Sequence, residues 1–128
     1  NSIQPGKRML SSMTPTLVLK NGKVLMVVGT PGGTTIPTSV YQSIVDVVDF
    51  KMNANLSINS PKFHNQWLPD VVFVEENFPE STIESLEKMN YKVEKRGQIG
   101  RTEMILVNKD GTISGVADGR GDDSVGVE

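Results

Sequence analysis

Lys23-Val24-Leu25-Met26-Val27-Val28-Gly29-Thr30-Pro31-Gly32-Gly33-Thr34-Thr35 passes from an unbroken apolar run into a turn with two adjacent glycines. The run Val24 to Val28 is apolar on both faces, so it reads as a strand lying deep in a sheet. Beyond the turn the hydrophobic period changes. Val40, Ile44, Val47 and Val48 fall at i, i+4, i+7 and i+8, one stripe of a helix. Thr34 or Thr35 can cap that helix, and Pro37 is tolerated where first-turn amides lack intrahelical partners.

Working outward, Thr16 to Lys20 alternates polar and apolar residues and is joined to the apolar run by Asn21-Gly22. That pair accepts positive φ at both turn positions and predicts a hairpin. Residues 1–15, with Pro5, Gly6 and Pro15, read as loop. Residues 53–70 read as one short helix followed by loop. Val71 to Glu75 is an expected strand and Pro79 to Asn90 a helix with Ile83, Leu86 and Met89 inward. Tyr91 to Lys95 is a short strand. Thr102 to Asn108 and Thr112 to Ala117 form a second hairpin around Lys109-Asp110-Gly111. The tail from Asp118 has no apolar face and reads as loop. The order predicts a layered α/β (α+β) fold in one domain, residues 1–128. Its expected divisions are a loop (1–15), a hairpin and helix (16–52), a loop-rich stretch (53–70), an αβ region (71–117) and a tail (118–128).

The 128 residues carry a net charge of -2 and no cysteine. The charge argues against a nucleic-acid footprint, which needs a clustered basic face. The nearest basic group, Lys92, Lys95, Arg96 and Arg101, is interrupted by Glu94 and Glu103 and reads as solvated surface. Without cysteine there is no disulfide framework, thiolate nucleophile or thiolate metal site. The longest apolar run is far short of a membrane span. The chain opens Asn1-Ser2-Ile3 without a methionine or a visible signal peptide, which leads to the expectation of a removed upstream segment.

Several groups could carry chemistry. At Gly32-Gly33 consecutive glycines let backbone amides approach a ligand, and the following helix start adds unpaired N–H groups, so the turn suits an anion or a developing oxyanion. A tight connection needing positive φ explains the same residues without a ligand. No nucleotide motif fits the spacing. Ser11-Ser12 can hold a carboxylate, although a loop serine pair is ordinarily a solvated turn. His64, the only histidine, would have to serve any Ser–His–Asp hydrolase, with Ser11 as a candidate nucleophile; no Gly-x-Ser-x-Gly elbow supports that. One histidine with scattered carboxylates gives no metal spacing, so the expectation is no metal and no cofactor. Asp122-Asp123 lacks the ligand pattern of a calcium loop. Arg120-Gly121-Asp122 and the sequon Asn55-Leu56-Ser57 are strings short enough to arise by chance.

Taken in order, several segments resemble one family, the γ-glutamyltransferases. Asn1-Ser2-Ile3-Gln4-Pro5-Gly6-Lys7-Arg8-Met9-Leu10-Ser11-Ser12-Met13-Thr14-Pro15-Thr16 is similar to the signature loop of that family's small subunit. Gly29 to Gly33 resembles its Gly-Ser/Thr-Pro-Gly-Gly turn. Pro61 to Asp70 and Ala117-Asp118-Gly119-Arg120 are similar to two further segments. The resemblance implies part of the four-layer αββα sandwich of N-terminal-nucleophile hydrolases, made from a self-cleaved precursor. It implies transfer of a γ-glutamyl group from glutathione or a similar donor to water or an amine, through an N-terminal threonine activated by its own α-amine. On matching positions, Ser11 and Ser12 would bind the donor's α-carboxylate, and the amides of Gly32 and Gly33 would form the oxyanion hole.

Other implications are negative. The nucleophilic threonine, the acidic residues for the donor's α-amine and the large-subunit arginine are not among these residues, so the chain is expected to be inactive alone. Its implied partners are the rest of the small subunit and the large subunit of the same precursor, in a periplasmic or secreted setting. Gly119 stands where the family commonly has proline, and Gly126-Val127-Glu128 replaces its usual ending. A related acylase of the same fold is the rival enzyme reading. The rival from another class is an isolated structural domain that self-associates through an exposed sheet edge.

Overall fold

The computed structural model describes residues 2–9 and 13–126. Its first hairpin forms where the Asn-Gly pair predicts it. Asn21 and Gly22 take φ of 52° and 76°, and β1 (Thr16–Lys20) pairs antiparallel with β2 (Lys23–Gly29). β2 pairs next with β6 (Glu103–Val107), which pairs with β7 (Ile113–Val116). The result is a four-stranded antiparallel sheet in the order β1-β2-β6-β7.

One face of this sheet makes the main core. Met26, Val28, Met104 and Leu106 pack against Val40 and Val47 of α1 (Ile36–Val48) and Ala54 and Ile58 of α2 (Ala54–Asn59). The other face differs from the expectation of a strand buried on both sides. Leu17, Val27 and Ile105 lie opposite one another in register, and all three are exposed. The apolar run therefore supplies one buried face and one apolar face that no layer covers among the described residues.

A smaller sheet joins β3 (Phe63–His64), β4 (Val72–Glu75) and β5 (Val93–Arg96), with β4 and β5 parallel. Their crossover is α3 (Glu80–Lys88), which seats Ile83 against Val72 and Val74. Met89, expected inward, is exposed. It caps α3, and Asn90 at φ 66° turns the chain away before Met89 can join the stripe. β3 lies in a stretch expected to be only helix and loop. The supposed surface cations have partners of their own: Lys92 pairs with exposed Glu94, Lys95 with exposed Glu80, and the Arg96 guanidinium sits over the half-buried Phe73 ring. No helix among the described residues is long and apolar enough to cross a membrane.

Candidate active site

β2 ends at Gly29, and the chain turns through Thr30-Pro31-Gly32-Gly33 into a short 3-10 turn (Gly33–Thr35) and then α1. Gly32 has φ 139° and Gly33 φ 60°, both in the region that favours glycine. A Cβ on Gly32 would lie 2.6 Å from Thr35 Oγ1 and 3.6 Å from the Gly100 Cα. Thr34 and Thr35 do not cap the helix through their side chains. Thr35 instead turns back, its Oγ1 donating to the Gly32 carbonyl at 3.0 Å while its amide donates to the same oxygen at 3.2 Å. Thr30 Oγ1 donates to the Pro31 carbonyl at 2.8 Å and accepts from the Arg101 amide at 2.8 Å. Thr30 and Thr35 are buried, whereas Gly32 and Gly33 are exposed. Among the described residues no acceptor takes the Gly32 or Gly33 amide. Two free N–H groups thus stand at the surface on a braced turn, which suits them to donate to an incoming oxygen.

The expected carboxylate-binding pair, Ser11 and Ser12, lies outside the described residues. His64 is buried, with Nδ1 2.8 Å from Thr38 Oγ1 and Nε2 3.0 Å from Gln66 Oε1. Both ring nitrogens are therefore engaged by neighbouring side chains, so both have structural uses. Among the described residues no group of three metal-ligating side chains occurs. Asp123 binds Arg101 at 2.9 Å, and Asp122 lies 3.8 Å from the same guanidinium. Arg120 is nearly buried and committed to internal partners, so of the Arg120-Gly121-Asp122 string only Asp122 stands fully exposed.

Sequence reasoning missed a buried ionic network behind the turn; the tail from Asp118 is loop, as expected, but it is anchored. Asp118 is in fact buried, and its Oδ2 accepts the Thr102 amide at 2.7 Å. Arg120 binds Asp118, Glu75 and the carbonyls of Ile58 and Ser60. Glu75 also accepts the amides of Ile99 and Lys62. Burial alone would push the Glu75 carboxyl up; the Arg120 hydrogen bond and the two amides together outweigh it and hold the group below its ordinary range. Lys62 is buried with its Nζ on the carbonyls of Ser57 and Ile58. Burial, helped by the charge of Arg120, depresses its pKa against the opposing pull of Asp46, Asp118 and Glu75. The available sequence signal was an Asp and an Arg two positions apart in a tail otherwise poor in apolar residues.

Comparison with known proteins places the chain in one family. The gamma-glutamyltranspeptidase family model matches residues 1–127. The glutathione hydrolase proenzyme of Escherichia coli K12 is 42% identical over 125 residues, covering 98% of this chain and 22% of that protein. A crystal structure of a mutant Helicobacter pylori gamma-glutamyltranspeptidase superposes with a TM-score of 0.85 at 41% identity, covering 93% of this chain and 66% of that one. The gamma-glutamyltranspeptidase of Pseudomonas nitroreducens, solved in complex with L-DON, gives 0.87 at 35% identity, covering 100% and 68%. The chain therefore spans about a fifth of the length of the Escherichia coli relative.

Proposed function

Because this chain belongs to the gamma-glutamyltranspeptidase family, we propose that it supplies the oxyanion-stabilising turn and the donor carboxylate site of a γ-glutamyl-transferring enzyme. The donor is glutathione or another γ-glutamyl compound, and the acceptor is water or an amine. The amino-terminal threonine of the processed subunit, which is not among these residues, attacks the γ-carbonyl, and its α-amine takes the hydroxyl proton. The carbonyl oxygen gains negative charge and is met by the amides of Gly32 and Gly33. As the tetrahedral centre collapses, the proton passes to the departing amine and a γ-glutamyl ester remains. Water or an amine then attacks the ester and restores the threonine. Ser11 and Ser12 hold the α-carboxylate throughout.

The observation that carries this reading is the pair of free amides at Gly32 and Gly33 on a turn fixed from behind by Thr30 and Thr35. Preformed donors need no reorganisation as charge develops, and losing one typically costs about a hundredfold or more in rate. The rest of the precursor belongs to the proposal as partner, covering the Leu17, Val27 and Ile105 face, and so does an extracytoplasmic setting. The test is release of aniline from a γ-glutamyl anilide. The complete processed enzyme is expected to turn over, and the chain alone to match buffer. Turnover by the chain alone, abolished by Ser12→Ala, would replace this reading with a serine hydrolase.

A second reading has its own observation. β1 is an edge strand of the larger sheet, and the adjoining face is apolar and exposed. On its own the chain would pair through that edge with another copy.

A further inference from the structure

Each amide assigned to the oxyanion belongs to a peptide unit whose carbonyl oxygen is held by a buried threonine. The Gly32 N–H shares its peptide plane with the Pro31 carbonyl, which accepts from Thr30 Oγ1 at 2.8 Å. The Gly33 N–H shares its plane with the Gly32 carbonyl, which accepts from Thr35 Oγ1 at 3.0 Å and from the Thr35 amide at 3.2 Å. A trans peptide is planar, with its N–H and C=O pointing in opposite directions, so fixing the oxygen fixes the direction of the hydrogen. We propose that Thr30 and Thr35 are positioning residues that aim the Gly32 and Gly33 amides at the oxyanion. This rests on the reading of those amides given above.

The two hydroxyls are themselves held. Thr30 Oγ1 accepts the Arg101 amide at 2.8 Å, and that amide belongs to a strut, residues 99–102, pinned on either side. The Ile99 amide donates to Glu75 Oε1 at 2.9 Å and the Thr102 amide to Asp118 Oδ2 at 2.7 Å. Arg120 ties Glu75 to Asp118. Gly100, between the pins, runs so close to the turn that a Cβ would lie 3.1 Å from Thr30 Oγ1 and 2.7 Å from Ser39 Oγ. Thr30 and Thr35 are 9% and 5% exposed, so water does not compete for these bonds. A tight connection alone would need the glycines. It would not need a separate hydroxyl on each carbonyl.

The experiment uses the complete processed enzyme carrying Thr30→Val, Thr30→Ser, Thr35→Val or Thr35→Ser, with Gly32→Ala alongside. Each Val variant removes a hydroxyl at nearly constant volume. The expected result is a fall in kcat of about tenfold for each Val variant, less than the hundredfold typical of losing an oxyanion donor. Donor KM should stay within about twofold, because the amides act on the transition state. A boronate that forms a tetrahedral adduct should lose affinity in parallel with kcat, and the Ser variants should recover most of both. A purely structural role would reduce the yield of folded enzyme while leaving kcat per active site intact, and that result would overturn the proposal. If Gly32→Ala loses kcat while both Val variants keep it, the positioning role falls and the oxyanion assignment stands. If Gly32→Ala also keeps kcat, both fall. Thr30 and Thr35 act on separate peptide units, so should one Val variant fail to fold, the other decides.

Discussion

Arg120 binds Glu75 through two parallel contacts, Nε to Oε1 at 2.7 Å and Nη2 to Oε2 at 2.5 Å, although 45 residues separate them in sequence. The same guanidinium reaches Asp118 and the carbonyls of Ile58 and Ser60. The tail is thereby fastened to α2, to the smaller sheet and, through the 99–102 strut, to the glycine turn. A planar fork of donors suits this arrangement, and an ammonium does not.

Removing one member of that pair leaves the other charge buried. Glu75→Gln or Arg120→Met is expected to cost about 3–5 kcal/mol of unfolding free energy, as buried pairs broken on one side do. Arg120→Lys should recover less than half of the loss. Urea unfolding followed by circular dichroism measures this, and a cost near zero would show that the pair is replaceable.

Glu75 and Lys62 both titrate below their ordinary values, so each gives a limb on which stability rises with pH, one acid and one alkaline. Glu75 titrates below its ordinary value near 4.5 in the fold, so its stabilisation is complete above that value and is lost as pH falls through the lowered one. Lys62 titrates below 10.5. Between its lowered value and 10.5 the unfolded chain binds more protons, so stability should rise with pH across that window. Lys62→Met should flatten the alkaline limb and leave the acid limb in place. An unchanged alkaline slope in Lys62→Met would contradict the burial argument.

Ser11 and Ser12 are proposed to contact a carboxylate that is charged in ground and transition states alike. Such contacts provide uniform binding, so Ser11→Ala and Ser12→Ala should each raise donor KM about tenfold with kcat little changed in the complete enzyme. Steady-state kinetics with a γ-glutamyl anilide tests this. A fall in kcat at constant KM would assign the serines to the chemical step instead.

The isolated chain is expected to show a concentration-dependent sedimentation coefficient, because the β1 edge and the Leu17, Val27 and Ile105 face are open. Ile105→Lys would put charge on the face and should shift the chain toward monomer. A concentration-independent monomer before any substitution would dismiss the self-association reading.

Local signals made much of this architecture readable in the sequence. Asn21-Gly22 marks its hairpin because two consecutive positive φ angles leave few other residues, and the Val40 to Val48 stripe marks α1 because one face must be apolar. What escaped is non-local. Phe63 and His64 form a strand only because β4 lies beside them, and two residues carry no period. Met89 fits the α3 stripe by spacing, yet the chain reverses at Asn90. Glu75 ends an apolar strand and looks like a solvated terminus; its partner lies at Arg120, in a tail whose composition suggests no fold at all. The turn at Gly32-Gly33 was visible as a site because its glycines are adjacent. Of the threonines that brace it, Thr35 looked like a helix cap, since nothing local distinguishes a hydroxyl that points forward from one that points back, and Thr30 carried no signal of its own.

The central claim is that the Gly32 and Gly33 amides stabilise the oxyanion, and the rate of acylation tests it most directly. Gly32→Ala adds a Cβ 2.6 Å from Thr35 Oγ1 at a backbone φ of 139°, so the turn and the Thr35 hydroxyl that holds it must shift. In single-turnover release of aniline by the complete enzyme, the account predicts acylation slowed about a hundredfold with donor affinity within about twofold of the parent. Acylation at the parental rate by a folded, processed Gly32→Ala enzyme would contradict it.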